Sequence, residues 1–308
     1  MNILITGGLG FQGSHLAEAL LEKGHNVTIL NTYSDTAKPR FESLRDRARI
    51  VLGSITDQTL IDKTVPGHDV VYHLAANVNV DHSLKDPKSF IECNVLGTHN
   101  VIEAVRQNGA RMIHASTCEV YGDGHNLAAD ELLDETAEFS PNSPYAASKA
   151  AADRWCAAYH KSFGTDVTIV RPFNIYGERQ KSGTFGALIP ILVRKAMANE
   201  PLTVFGDGSA TRDYMHVSDL VAAYLLVLEH DDLSGQAINF ATGKNTSVKD
   251  IATHISNRLD VAVEHGPPRP GEVMRFPADV SKARALGFVP KVDIWEGIDR
   301  YIEWAKAQ

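Results

Sequence analysis

The sequence has 308 residues, of which 44% are hydrophobic and 22% charged, and its formal net charge is −8. This composition excludes disordered and fibrous classes and suits one large domain or two coupled ones. A negative chain without a basic run argues against general binding to nucleic acid or to membrane surfaces. Three cysteines predict neither a disulfide framework nor a metal site. With no membrane-length apolar run and no signal-peptide pattern, we expect a soluble cytoplasmic protein.

The chain opens with a strand, a glycine-rich loop and a helix. The strand covers Asn2–Thr6, and the loop carries Gly7, Gly10 and Gly13. A second strand, Asn26–Asn31, follows the helix. In this context the three glycines permit a tight turn, a close backbone approach and close helix packing, and the helix N-terminus faces a pyrophosphate. The opening therefore predicts a dinucleotide site.

The end of the second strand bears on the choice of cofactor. Asn31 stands where an NAD site usually has an acidic residue for the ribose hydroxyls. Asn31 can still bond a hydroxyl, but it does not repel a 2′-phosphate, and Lys38 and Arg40 lie nearby in sequence. We predict NAD, with NADP as the alternative.

Strands and helices continue to alternate through residue 171, which predicts an α/β fold of the Rossmann type with a doubly wound parallel sheet. Further strands are predicted at 49–52, 70–74, 112–115, 168–171 and 237–240, and long helices at 90–107 and 145–163. His73 and His114, inside strands, are predicted to be core histidines. The two long helices pack on the sheet or supply a subunit interface.

Beyond residue 171 proline and glycine become frequent. Helices are predicted near 188–199, 218–228, 248–257 and 295–307. We expect a smaller mixed α/β C-terminal lobe that binds the substrate. The predicted boundaries are 1–171 with 214–241 for the Rossmann domain, and 172–213 with 242–308 for the lobe.

The residues after the predicted strand 112–115 carry reactive groups. Thr117, Cys118 and Glu119 supply a hydroxyl, a thiol and a carboxylate at a strand end, where ligands of open α/β sheets bind. Tyr145 and Lys149 follow at the start of a helix. Lys149 lies one turn after Tyr145 on the same face, where its charge favours the phenolate over a phenol of ordinary pKa ~10.

Several stretches together resemble the extended short-chain dehydrogenase/reductases, in the branch of nucleotide-sugar epimerases and dehydratases. The resemblance spans essentially the whole chain. It rests on 6–16, 73–76, 116–122, 143–149, 171–177, 206–208, 211–214 and 269–272.

The resemblance implies an enzyme that transiently oxidises C4 of a nucleoside-diphosphate hexose. Tyr145 would remove the proton of the C4 hydroxyl, Lys149 would also bond the nicotinamide ribose, and Thr117 would hold the C4 oxygen. Arg212, Arg275 and Asn174 would contact the diphosphate. The remaining positions line the cofactor (Gly7, Gly10, Phe11, Gln12, Gly13, Asn31, Ser34, Ser54, Ile55, Leu74, Ala75, Ala76, Ser116, Tyr145, Lys149, Phe173) and the nucleobase pocket (Leu188, Thr203, Phe205).

The pair Cys118–Glu119 favours elimination over simple epimerisation. A C4 ketone acidifies the C5 proton, which Glu119 can remove, and a thiol of ordinary pKa ~8.5 can protonate a departing C6 hydroxyl. The pair is similar to that of the 5,6-dehydratase of tunicamycin biosynthesis. We therefore predict a dehydratase, by 4,6- or 5,6-elimination. Open alternatives are a 4-epimerase like UDP-glucose 4-epimerase, a UDP-glucuronate decarboxylase and, remotely, a non-catalytic dinucleotide-binding protein; we expect a homodimer.

Overall fold

The computed structural model describes residues 1–34, 37–122, 131–183, 186–268 and 274–308. The chain divides into two compact units. The first unit comprises Met1–Val120, Pro141–Arg171 and Val221–Ile238; the second comprises Tyr121–Ser140, Pro172–Leu220 and Asn239–Gln308. The predicted domain boundaries differ chiefly at 121–140 and 214–220, which the second unit contains. The domain assignment itself stays a prediction.

The described residues form strands and helices in the alternation that the sequence predicts. The strands are β1 (Asn2–Thr6), β2 (Asn26–Asn31), β3 (Arg49–Leu52), β4 (Val70–His73), β5 (Arg111–Ala115), β6 (Val167–Pro172), β7 (Ile175–Tyr176), β8 (Leu202–Phe205), β9 (Thr211–Asp213), β10 (Met215–His216), β11 (Ala237–Phe240), β12 (Asn245–Ser247) and β13 (Val263–Gly266). The helices are α1 (Phe11–Glu22), α2 (Lys38–Leu44), α3 (Gln58–Thr64), α4 (Val80–Lys85), α5 (Pro87–Phe90), α6 (Gly97–Asn108), α7 (Pro144–Phe163), α8 (Leu188–Met197), α9 (Val217–Glu229), α10 (Val248–Leu259), α11 (Ser281–Ala285) and α12 (Ile294–Lys306). A π-helical segment covers Ile91–Leu96, and 3₁₀ turns cover Cys118–Tyr121 and Asp231–Leu233.

The main sheet has seven strands in the order β11-β6-β5-β4-β1-β2-β3. The pairings from β6 through to β3 are parallel. The chain order reverses between β1 and β4, and ligands of such sheets bind at the strand ends beside that reversal. This order confirms the predicted Rossmann-type α/β fold. It also brings the glycine loop after β1 next to the residues that follow β4.

Apolar side chains fill the first unit on the helix-covered side of its strands. Val101, Ile102 and Val105 of α6 are fully buried against strand residues such as Leu4 and Met112. Strands β4, β5 and β6 are buried on both faces, as parallel strands usually are, which explains their apolar runs, whereas the edge strand β3 is partly exposed. His73 and His114 are buried, as predicted.

The predicted helix 90–107 is not one regular α-helix. It consists of the end of α5, the π-helical segment and α6. Single π turns inside α-helices often occur at functional sites because they redirect side chains. Apolar spacing alone does not distinguish the two helix types.

The second unit contains three two-stranded sheets. The pairs β7–β10 and β8–β13 are parallel, and β9–β12 is antiparallel. Helices α8, α10 and α12 bury one face each in a common core with β8. In neither unit do the described helices include one that is both long and apolar enough to cross a membrane.

Candidate active site

The glycine loop between β1 and α1 leaves room for a ligand at the helix N-terminus. Gly7 has φ +77°, and a Cβ there would lie 2.8 Å from the Ala75 nitrogen. A Cβ on Gly13 would overlap the Gly7 carbonyl. The first backbone N–H groups of α1 have no acceptor within the helix, and its first turn holds no acidic residue. These features fit the pyrophosphate of a dinucleotide, which would accept from N–H groups near Phe11 and Gln12.

Asn31 at the end of β2 supports this loop. Its Oδ1 accepts from the Leu9 N–H at 3.1 Å, and its Nδ2 donates to the Thr32 carbonyl at 2.6 Å. Arg40 Nη1 donates to the Leu9 carbonyl at 2.9 Å. Two polar side chains therefore hold the loop on its outer side. The predicted contact of Asn31 with the ribose stays a prediction.

Three other predicted cofactor residues, Ser54, Ile55 and Ser34, form hydrogen bonds within the protein. The Ser54 hydroxyl pairs with the Thr56 hydroxyl at 2.8 Å. Ile55 is buried, and its carbonyl accepts from Asn100 Nδ2 at 3.0 Å. The Ser34 carbonyl accepts from the Ala37 N–H at 2.9 Å. Their roles toward a cofactor are untested.

The residues after β4 lie directly against the glycine loop. The Leu74 N–H donates to the Thr6 carbonyl at 3.0 Å, and the Ala75 N–H donates to the Thr6 hydroxyl at 3.3 Å. Ala76, next in the chain, is half-buried. The structure thus brings the segment 74–76 and the loop 7–13 together, as the reversal of strand order requires.

Asn94 joins this segment to the helix that carries Tyr145, a link that sequence reasoning missed. Its Oδ1 accepts from the Asn77 N–H at 2.7 Å, and its Nδ2 donates to the Asn77 carbonyl and to Ser148 Oγ, each at 2.9 Å. Ser148 Oγ donates in turn to the Tyr145 carbonyl at 2.7 Å. The available signal was a buried asparagine within an apolar helical pattern.

Tyr145 lies in the first turn of α7, which the Ser143 hydroxyl caps by accepting from the Ala146 N–H at 3.1 Å. Burial, the Glu119 carboxylate and Cys118 raise the pKa of Tyr145, and the Thr117 side chain opposes them. The structure therefore gathers the three predicted strand-end groups around one phenol.

Lys149 is buried one turn further along α7. Its Nζ donates to the Ala115 carbonyl at 2.6 Å. Burial lowers the pKa of Lys149 to about 8, while Cys156, Asp153 and Cys93 act to raise it. The sequence led us to expect that Lys149 favours the phenolate of Tyr145. In the protein by itself, burial and Glu119 outweigh any such effect, and the pKa of Tyr145 lies above its ordinary value.

Ser116 and Phe173 have partners within the protein. The Ser116 hydroxyl donates to Asp153 Oδ2 at 2.7 Å. The Phe173 ring, in the second unit, contacts the rings of Tyr121 and Phe276 at centroid distances of 6.5 and 5.7 Å. The predicted cofactor contacts of both residues stay predictions.

Two of the predicted diphosphate ligands lie side by side in the second unit. The Thr211 N–H donates to the Met274 carbonyl at 2.9 Å, which makes Arg212 and Arg275 backbone neighbours. Arg212 Nη1 donates to the Thr211 carbonyl at 2.8 Å, and Arg275 Nη2 donates to the Glu131 carbonyl at 3.3 Å. Both guanidinium groups therefore have protein partners.

The other predicted substrate residues also belong to the second unit. Asn174 Nδ2 donates to the Asp213 carbonyl at 3.5 Å. Thr203 Oγ1 on β8 accepts from Lys195 Nζ at 3.1 Å, Phe205 ends the same strand, and Leu188 begins α8. The family-like stretch 269–272 lies outside the described residues.

Comparison with known sequences agrees with this geometry. Residues 3–241 match the NAD dependent epimerase/dehydratase family. A dTDP-glucose 4,6-dehydratase of Streptomyces niveus is 36% identical, covering 99% of this chain and 92% of its own length. A UDP-N-acetyl-alpha-D-glucosaminuronate decarboxylase of Bacillus cytotoxicus is 35% identical, covering 98% of this chain and 96% of its own length.

Two solved structures are similar over the full length. The dTDP-glucose 4,6-dehydratase DesIV of Streptomyces venezuelae, with NAD bound, has a TM-score of 0.91 at 31% identity, covering 100% of this chain and 98% of its own. A UDP-glucose 4-epimerase of Thermotoga maritima, with UDP-glucose, has a TM-score of 0.91 at 30% identity. The match covers 100% of this chain and 99% of the epimerase. The predicted cofactor, NAD, is confirmed by these matches. Dehydratases, epimerases and decarboxylases resemble the chain about equally.

Proposed function

Because the chain belongs to the NAD dependent epimerase/dehydratase family, we propose that it is a dehydratase that eliminates water from a nucleoside-diphosphate hexose. At the coarser level it is an enzyme that modifies nucleotide sugars. Bound NAD would supply the hydride acceptor that converts C4 to a ketone, and would return the hydride later. The choice of dehydration rests on the protein's own side chains.

The observation that supports this choice is the interaction of Glu119 with Tyr145. The carboxylate raises the pKa of Tyr145, so it belongs to the electrostatic surroundings of the group that would act at C4. C5 is the next sugar carbon. A carboxylate there can remove the C5 proton once C4 is a ketone. A simple 4-epimerase has no need of such a base.

Each proton has a place in this scheme. Tyr145 takes the proton of the C4 hydroxyl while Thr117 bonds the same oxygen, and Lys149 provides the nearby positive charge. Glu119 takes the C5 proton as the C6–O bond breaks, and the Cys118 thiol protonates the leaving oxygen to give water. In 4,6-elimination the C4 ketone is retained, and a proton passes from Tyr145 to Cys118, directly or through solvent, to complete the cycle. In 5,6-elimination the ketone would be reduced back at C4, Tyr145 returns its proton to the C4 oxygen, and the proton on Glu119 passes to Cys118. In 4,6-elimination Glu119 reprotonates C5 after its carboxyl proton has exchanged with solvent.

We propose that Arg212 and Arg275 bind the diphosphate, with Asn174 as a further donor. A guanidinium group can bond two phosphate oxygens at once, and the backbone bond between Thr211 and Met274 joins the two segments that carry these arginines. Leu188, Thr203 and Phe205 are proposed for the nucleobase. Neither assignment identifies the base.

We also propose a homodimer formed through the π-helical segment and α7 of the first unit. Ile91, Leu96, Trp155 and Phe163 are large apolar side chains that remain exposed there. Such residues are costly to leave in water when they are grouped, and a second copy would cover them. The proposed cytoplasmic location is untested.

The test is to incubate the purified protein with UDP-, dTDP-, GDP- and CDP-hexoses and to determine product mass. We expect loss of one water molecule from at least one of them. An unchanged mass with an altered sugar would indicate an epimerase, and loss of carbon dioxide from a hexuronate would indicate a decarboxylase. No turnover of any sugar, with NAD bound, would favour a non-catalytic dinucleotide-binding protein.

A further inference from the structure

Asp153 is a fully buried carboxylate on α7, one turn after Lys149. It accepts hydrogen bonds from three residues. Ser116 Oγ donates at 2.7 Å, Arg171 donates from Nε at 2.9 Å and from Nη2 at 3.0 Å, and Arg154 Nη2 donates at 2.6 Å. The mechanism above assigns no step to this group.

Stability alone does not explain a buried ion pair. Arg171 is completely buried, like Asp153, and desolvation offsets much of the attraction between such charges. Well-packed apolar residues in their place are often neutral or stabilising. The hydrogen-bond partners of Asp153 indicate that the ion pair fixes the position of α7 relative to β5.

The ion pair of Asp153 and Arg171 connects helix α7, which carries Tyr145 and Lys149, with the end of β5, which leads to Thr117 and Glu119. Ser116 and Ala115 are consecutive residues at the end of β5, and each is held by one side chain of α7. Lys149 Nζ donates to the Ala115 carbonyl at 2.6 Å, and Asp153 accepts from Ser116. Arg171, from β6, fixes the carboxylate from the other side. Helix α7 can therefore not slide along β5 without breaking these bonds.

We propose that Asp153, paired with Arg171, is a positioning residue that fixes the register of Tyr145 and Lys149 against the strand-end residues Thr117 and Glu119. The claim that Asp153 affects turnover rests on the proposed function. The claim that Asp153 is linked to Lys149 does not. Catalysis is sensitive to this register because a misplacement of about 1 Å can reduce a rate by ~100-fold.

The same arrangement couples Asp153 to Lys149 electrostatically. The ionisable groups that face Lys149 are Asp153 and Cys156 on its own helix and Cys93 on the π-helical segment, all of which raise its pKa. His73 and His114 lie close enough that Lys149 lowers their pKa, and burial keeps both neutral. Asp153 stays ionised because Arg171 and its other donors hold its pKa below the ordinary value. Removing its charge should lower the pKa of Lys149 below about 8.

The first variant for the test is D153N, with two readouts. One is the titration of Lys149 Nζ, followed by NMR in protein made with isotope-labelled lysine and assigned by its loss in K149R. The other is the pH profile of kcat/KM on the sugar that is turned over. We expect the pKa of Lys149 to fall by about one pH unit, and the alkaline limb of the kcat/KM profile to move down with it. We also expect kcat to fall by ~10- to 100-fold, with KM little changed.

A matched control is D219N in the second unit. Asp219 is also buried and accepts from the Lys291 and Val292 N–H groups, each at 3.0 Å. Its loss should change stability without moving the titration of Lys149.

D153N leaves Arg171 buried without its partner, so a second variant keeps the test valid if D153N does not fold. The double variant D153L/R171M removes both charges and retains comparable volume. Because Asp153 and Arg171 carry opposite charges, removing both should move the pKa of Lys149 less than D153N does, whereas kcat should fall by the same ~10- to 100-fold. Titration of Lys149 at the wild-type pKa in folded D153N would overturn the proposal. An unchanged kcat in a folded variant, if the wild-type protein turns over a sugar, would also overturn the proposal. If the protein turns over no sugar, the NMR titration still decides the link to Lys149, and the proposed function fails separately.

Discussion

At the scale of single residues, the phenol of Tyr145 is set apart by its surroundings. Burial, Glu119 and Cys118 raise its pKa, so the protein alone favours the neutral phenol. A base role at neutral pH needs positive charge beyond that of Lys149, which an oxidised nicotinamide ring would bring. We therefore expect the pKa of Tyr145 to fall when the cofactor binds.

Substituting Glu119 by Gln tests the assigned base. The amide cannot take the C5 proton, so we expect dehydration to fall by ~10²- to 10⁴-fold. Oxidation at C4, followed by nicotinamide absorbance in a single turnover, should persist. Glu229→Gln serves as a control, because Glu229 is exposed and forms a surface ion pair with Lys23, at 3.7 Å. Equal loss of oxidation and dehydration would contradict the assignment.

Lys149 should make stability depend on pH in a definite direction. Its pKa of about 8 lies below the ordinary 10.5, so between these values the unfolded chain binds more protons than the folded one. Stability relative to Lys149→Met should therefore rise with pH, by roughly 3 kcal/mol from about pH 7 to about pH 11. Urea unfolding of the two proteins across this range measures the difference. A flat or falling difference would show that burial does not depress this pKa.

Sequence predicted the reactive side chains better than the residues that hold them. Thr117, Glu119 and Tyr145 stand in spaced patterns that point to chemistry, and the structure brings them together. Asn94 and Asp153 act through bonds to distant parts of the chain, and no local spacing encodes such contacts. An asparagine or aspartate inside a helix is equally typical of a solvated face.

At the scale of elements, the junction of β1 with α1 was the most predictable feature. Its glycines are required by the positive φ at Gly7 and by the close approach at Gly13. The π-helical segment was not predictable, because its apolar spacing matches that of an α-helix. The segment matters because it carries Asn94 toward both the cofactor loop and α7.

Gly13→Ala should impair cofactor binding more than folding. The added Cβ would overlap the Gly7 carbonyl and displace the loop, although alanine suits a helix well. We expect NAD affinity, measured by calorimetry, to fall by at least ~10-fold. Gly183→Ala is the control, since a Cβ there meets no heavy atom of the described residues within 4 Å. Wild-type affinity in Gly13→Ala would contradict the placement of the pyrophosphate.

At the scale of the whole molecule, fold and family leave the reaction open. Proteins named as dehydratase, decarboxylase and epimerase match the chain over nearly its full length at 30–36% identity. The shared scaffold explains the C4 chemistry they would have in common. The differences must come from a few side chains, of which Cys118 and Glu119 are the candidates in this chain.

The proposed homodimer gives a prediction at the same scale. Leu96→Glu places a charge among the exposed apolar residues of the π-helical segment and α7, and burying it unpaired would be costly. We expect a concentration-dependent shift to monomer in sedimentation experiments. Met197→Glu is the control, because Met197 is an exposed apolar residue on α8, which belongs to the second unit and is no part of the proposed interface. A wild-type protein that is monomeric at high concentration would refute the interface.

The central claim is that Glu119 removes the C5 proton after C4 has been oxidised. Turnover in deuterium oxide tests it most directly, with mass and NMR analysis of the product. We predict a product that has lost one water molecule and, for 4,6-elimination, carries deuterium at C5; for 5,6-elimination, an alkene between C5 and C6. Neither product should form with Glu119→Gln. A product of unchanged mass that has taken up no deuterium would contradict the claim and identify an epimerase.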